Sequence, residues 1–127
     1  MLSFSPTIRI VLTLCFMALL AVASLIPGRP QPGDSAFIWL VAETPKVLQK
    51  VLHVGLYGVL VLLWVWTLDS IESRTHRFLI AFMLAVVFGA VMEWYQAKVP
   101  GRFGTLIDVV LNAAGAALGL LVATFLL

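Results

Sequence analysis

Residues 76–126 read HRFLIAFMLAVVFGAVMEWYQAKVPGRFGTLIDVVLNAAGAALGLLVATFL, two long apolar runs parted by one short break. A helix needs about 20 residues to cross a hydrocarbon core of ~30 Å, and each run is of that order. The break, Pro100-Gly101-Arg102-Phe103-Gly104, lacks one backbone donor and carries two glycines, so a helix does not continue through it. The stretch predicts a membrane hairpin with helices over about 76–98 and 106–126. Its polar residues crowd toward the break: Glu93 and Gln96 before it, Asp108 and Asn112 after it.

The N-terminal half repeats this grammar. Residues 7–26 are apolar on every face and stop at Pro27-Gly28, where a proline-rich segment begins. Arg9 ahead of the run and Ala21-Val22-Ala23 within it have the outline of a cleaved signal peptide. The run extends through Ile26, however, and is read as a span. Asp34 would cap a short stretch from Ser35 to Ala42, which holds Phe37, Trp39 and Leu40. Too short to cross, it is expected to lie in the membrane interface. Thr44-Pro45, a cap residue followed by proline, opens a helix that runs to about Leu68 and carries Trp64 and Trp66 at its far end. The expected fold is all-α: a four-helix transmembrane bundle in a single domain, residues 1–127, with helices over about 7–26, 45–68, 76–98 and 106–126, short connectors, and an interfacial helix between the first two.

Composition agrees. Of 127 residues, 62% are hydrophobic and 11% charged, more apolar surface than a soluble domain of this size can bury. The net charge of +2 comes without a basic cluster, so no nucleic-acid partner is expected. Cys15 is the only cysteine, which excludes an intramolecular disulfide; it reads as a small buried hydrophobe. No phosphate loop and no Ser-His-Asp arrangement is present, and the two histidines fall at opposite ends of the bundle. Neither cofactor nor metal is expected.

Parity then brings the polar residues together. In a chain of four hairpin-linked spans, the start of the second, the end of the third and the start of the fourth face the same side. Residues three, four or seven apart share a helix face. Lys50, His53 and Tyr57 form one stripe, Gly89, Glu93 and Gln96 a second, and Asp108, Asn112, Gly115 and Gly119 a third. Arg102 lies in the connector between the last two. At 1.5 Å per residue Tyr57 sits about 10 Å deeper than Lys50, which suggests a shallow pocket rather than a pore. Lys50 and Arg102 balance Glu93 and Asp108, the cheaper way to hold charge at low dielectric. Arg9, Asp69, Glu72, Arg74, His76 and Arg77 fall on the opposite side and read as solvated loop charges. Gly115 and Gly119 have the spacing that lets a neighbouring helix approach closely.

The pattern Lys50-x-x-His53-x-x-x-Tyr57, then Glu93-x-x-Gln96, then Pro100-Gly101-Arg102-Phe103-Gly104-Thr105-x-x-Asp108-x-x-x-Asn112-x-x-Gly115-x-x-x-Gly119 resembles the VanZ-like family of bacterial membrane proteins. The likeness covers roughly Gln49 to Gly119, and its specific part is Glu93 through Gly119. One departure is Gln49, where the family often has an acidic residue. The resemblance implies a small multi-helix protein of the cell envelope, and the family takes its name from a protein associated with resistance to the glycopeptide teicoplanin.

Each polar residue has a plain reading beside a functional one. Asp108 either closes a Thr105-x-x-Asp108 capping box or joins a site. Asn112, one turn deeper, is an interhelical anchor or a site residue. Glu93 is an interfacial carboxylate, a salt-bridge partner of Lys50 or Arg102, or a proton acceptor. His53 packs on Tyr57 or acts as an acid–base group. Arg102 and Lys50 reach phosphate headgroups or hold a specific anion. The leading expectation is a binding protein that engages or shields a membrane lipid headgroup or lipid-linked wall precursor. The alternatives are an intramembrane enzyme acting on such a headgroup, and a small proton-coupled transporter built as a homo-oligomer through Gly115 and Gly119. The expected location is the inner (plasma) membrane with both termini cytoplasmic and the polar tips outside.

Overall fold

The computed structural model describes residues 4–25, 36, 46–96, 98 and 106–126. Four helices hold most of them: α1 (Pro6–Leu25), α2 (Lys46–Thr67), α3 (Arg74–Gln96) and α4 (Leu106–Leu126). All four are long and apolar enough to cross a membrane. No strand occurs among the described residues. The four-helix transmembrane bundle read from the apolar runs therefore forms, with helix ends within two residues of those expected. The interfacial helix expected over 35–42, the Thr44-Pro45 start and the break at 99–105 lie outside the described residues, Ala36 alone excepted.

Serine caps fix two of the starts. The Ser5 hydroxyl accepts a hydrogen bond from the Ile8 amide at 3.3 Å, with Pro6 at the first helical position. Ser73 does the same for the His76 amide at 3.3 Å, which starts α3 at Arg74, two residues earlier than the sequence suggests. Each cap satisfies one of the four amides that a helix start leaves without a partner.

The tightest packing joins α2 to α4, with α3 against both and α1 against α2 and α3. Glycine makes the α2–α4 approach possible. A Cβ at Gly115 would lie 2.3 Å from the Val54 carbonyl oxygen, and one at Gly119 would lie 2.4 Å from that of Gly58. No other residue fits where two backbones come this close. The glycine stripe thus finds its neighbouring helix within the same chain.

Each of α2, α3 and α4 buries a stripe at helical spacing, apolar along most of its length and polar at one end. On α3 it runs Ala81, Ala85, Gly89 and Glu93, four residues apart and all buried. Opposite lie Leu60, Val61 and Val65 of α2, and Ala116 and Ala123 of α4, none more than 1% exposed. Leu20 of α1 completes the cluster. The outward faces carry large apolar side chains such as Val11, Leu19, Val87, Leu121 and Phe125, all exposed, as lipid-facing surfaces require. Cys15 is on this outer surface and not in the core. Because α1 is apolar all round, composition alone could not assign its inner face.

At the end away from the polar stripes, three residues expected to be solvated make built contacts. Arg9, in the first turn of α1, pairs with Asp69 and donates to the Trp66 carbonyl at 3.1 Å. Its guanidinium lies 5.2 Å from the Trp66 ring centroid. Arg74, opening α3, donates to the Thr124 carbonyl of α4 at 2.7 Å. Each arginine satisfies one of the carbonyls left over at a neighbouring helix's C-terminus, where cations are also favoured by the dipole. Beside Arg9, the buried Thr13 hydroxyl donates to the Arg9 carbonyl at 2.9 Å and lies 2.6 Å from that of Thr67. A double-mutant cycle on Arg9→Ala and Asp69→Ala is expected to give a coupling of about 0.5–1 kcal/mol in thermal stability, since one partner is half exposed. A coupling of zero would show that the Arg9–Asp69 pair adds nothing to the hold on α1.

Candidate functional site

At the other end the three stripes turn polar together. Among the described residues the buried polar side chains are Thr13, at the far end, and Glu93 and Asn112 here, at 4% and 1% exposure. Tyr57, at 2%, joins them. They come from three helices: Tyr57 from α2, Glu93 from α3, Asn112 from α4.

Gly89 is where they meet. A Cβ at this position would lie 2.9 Å from Tyr57 Cε1, 3.0 Å from Asn112 Nδ2 and 3.2 Å from Asn112 Cβ. The bare face of Gly89 therefore receives a side chain from each of the other two helices. Glu93 follows one turn later on the same buried face of α3. His53, half buried on α2, places Nδ1 3.2 Å from Asn112 Oδ1, and its ring centroid is 6.2 Å from that of Tyr57. On its other side Tyr57 meets Phe88, at 6.3 Å between centroids. Asn112 Nδ2 is buried and has no hydrogen-bond partner among the described residues.

Not every expected residue joins this set. Lys50 is exposed, one turn before His53, and so lies at the rim. Asp108 is half buried in the first turn of α4. Gln96 closes α3, but its side chain is outside the described residues, as is all of Arg102. Gly115 and Gly119 serve the α2–α4 contact one and two turns below Asn112. Sequence reasoning placed Gly89 on the stripe without seeing that two side chains dock on it, and it passed over Gly58 and Phe88. The signal for Gly89 was present in the spacing Ala81, Ala85, Gly89, Glu93, small residues leading to a carboxylate.

The level of the site in the membrane is marked by its neighbours. Trp94 and Tyr95, adjacent to Glu93 in sequence, are exposed, and Lys98 Nζ lies 3.6 Å from the Trp94 ring centroid. Tryptophan and tyrosine concentrate at the headgroup level. Glu93 thus points into the bundle at a depth where its neighbours reach the interface.

A family model described as VanZ/LLP1 matches residues 8–127, nearly the whole chain. No curated protein and no solved structure matches. The chain belongs to the VanZ/LLP1 family.

Proposed function

From this membership we propose that the multi-pass protein binds the polar head of a membrane lipid or lipid-linked wall precursor at one leaflet. One observation carries the reading: three helices converge to bury Tyr57, Glu93 and Asn112 together, with His53 at their edge. Interhelical hydrogen bonds within membranes contribute only about 0.6 kcal/mol on average. Burying an ionised carboxylate such as Glu93, 4% exposed, costs more in lost hydration than one such bond returns. Stability is thus a poor reason to keep such a set. The division of charge suggests how a headgroup would sit. Its phosphate would meet exposed Lys50 and the connector residue Arg102, while hydroxyl or ammonium donors reach inward to Glu93. Lipid co-purifying with the wild-type chain should fall about tenfold in Glu93→Gln, equivalent to ~1.4 kcal/mol, and also in Lys50→Ala. Unchanged lipid content by mass spectrometry in both variants would overturn the reading.

The hydrogen-bonded His53–Asn112 pair beside Glu93 favours a second reading, chemical modification of the bound headgroup. Glu93 or His53 would act as general base. Lipid profiles that differ between cells carrying wild type and Glu93→Gln, while binding persists, would select it. The transporter reading loses support on two counts. Gly115 and Gly119 are occupied within the chain, and Leu60, Val61, Ala81, Ala85 and Ala116 fill the layer between the two polar ends without exposure. We further place the protein in the inner (plasma) membrane of the cell envelope, with both termini cytoplasmic, the site facing outward, and a contribution to teicoplanin resistance where the headgroup belongs to a wall precursor. A reporter fused to the C-terminus should read as cytoplasmic; an external signal would reverse the orientation.

A further inference from the structure

We infer that the start of α3 holds the phosphate of one anionic phospholipid, in the leaflet opposite the candidate site, with Arg74 and Arg77 as its donors. The guanidinium carbons of these two residues lie 5.0 and 6.0 Å from the centroid of the same ring, that of Phe78. Two positive charges are thus gathered at one place on the surface. Neither is in an ion pair among the described residues. Asp69 is taken by Arg9, which leaves exposed Glu72 as the other acidic residue of the connector between α2 and α3. Helix stability does not account for the arginines either. Both stand in the first turn of α3, which holds no acidic residue, and a helix dipole disfavours cations there.

The two side chains are held in place. Arg74 donates to the Thr124 carbonyl at 2.7 Å, using one of the five donors of a guanidinium. Arg77 is half buried, and its Nε is buried with no hydrogen-bond partner among the described residues. Its charge rests against apolar surface with no described carbonyl or carboxylate to meet it, which is costly unless an anion comes from outside. A pair of guanidinium forks suits a phosphodiester, whose oxygens accept charge-assisted hydrogen bonds. The surface below shows why the phosphate belongs to a lipid. Arg77, Ile80, Leu84 and Val87 follow one another at helical spacing, and the three apolar ones are exposed. From Arg77 to Val87 the stripe is about 15 Å long, the depth of one leaflet of a ~30 Å core. A head at Arg77 and an acyl chain along Ile80, Leu84 and Val87 fit one molecule.

The test uses the full chain reconstituted in vesicles of equal phosphatidylcholine and phosphatidylglycerol with matched acyl chains. The protein is then extracted in detergent, and retained lipid is identified by native mass spectrometry. Wild type is expected to retain phosphatidylglycerol over phosphatidylcholine. In the double variant Arg74→Gln, Arg77→Gln that preference should fall at least about tenfold, the loss of one hydrogen bond to a charged group. The Arg77 side chain makes no hydrogen bond among the described residues, so Arg77→Gln alone should melt like wild type and still lower the preference. The same falls are expected in chains that also carry Lys50→Ala, so that lipid held at the other end does not enter the comparison. Equal retention of the two lipids by wild type would mean a shell of ordinary lipid and would overturn the proposal. So would an unchanged preference in folded Arg77→Gln, or displacement of the lipid by excess inorganic phosphate, which would mark an ion site without chains.

Discussion

Gly115→Val is expected to abolish the folded bundle. The added Cβ would lie 2.3 Å from the carbonyl oxygen of Val54 and 2.9 Å from its carbonyl carbon and Cα. These are backbone atoms of a helix and cannot turn aside, so α2 and α4 must separate along the tightest contact in the molecule. Overpacking a core typically costs about 1–3 kcal/mol even where side chains can adjust, and here they cannot. A loss of more than about 3 kcal/mol is expected, seen as failure to recover monodisperse protein in detergent. The same helix pair supplies its own graded controls. Gly58→Ala brings a Cβ 3.2 Å from the Gly115 carbonyl and should lower the melting temperature modestly, whereas Gly55→Ala meets nothing within 4 Å and should leave it unchanged. A Gly115→Val protein that melts like wild type would show that α2 and α4 do not pack this closely.

Gly89→Val is expected to destroy the site while leaving much of the bundle in place. Its side chain would enter the space held by Tyr57 Cε1 and Asn112 Nδ2, both buried. The neighbours here are side chains, so the helices need not part, and a destabilisation of about 1–3 kcal/mol is expected. The larger effect falls on geometry. Asn112 is pushed off the α3 face, its contact with His53 is lost, and bound lipid should fall at least as far as in Glu93→Gln. Lipid content and melting temperature measured on one preparation separate the two effects. Full lipid retention would mean that the junction at Gly89 is packing only.

Much of this could be read from residue order. Run length and the Pro-Gly breaks fix four spans, and parity puts His53, Glu93 and Asn112 at one end. What pattern could not supply was the choice of neighbours. Gly115 and Gly119 announce a close helix approach, yet nothing local says that Val54 and Gly58 receive them. Arg9 and Arg74 look like loop charges because the carbonyls they satisfy, on Trp66 and Thr124, are about 50–60 residues away in sequence. The Ser5 cap was legible, since Ser5-Pro6 follows the same rule as Thr44-Pro45, whereas Ser73, with no proline after it, was passed over and the start of α3 was read two residues late. Lys50 was grouped with the site by its helix face, and helical rise already set it about 10 Å shallower than Tyr57; it is exposed at the rim.

The central claim is that separate helices bring their polar ends into one buried cluster. The chain makes this directly measurable, because Asn112 is its single asparagine and His53 one of two histidines, with His76 at the opposite end of the bundle. Protein labelled only at histidine and asparagine and embedded in bilayers should show a short-range magnetic contact between an imidazole ring and the asparagine carboxamide. The account predicts that signal, and predicts that it persists in His76→Gln. Its absence, with the two side chains in unrelated surroundings, would contradict the shared site on which the functional reading depends.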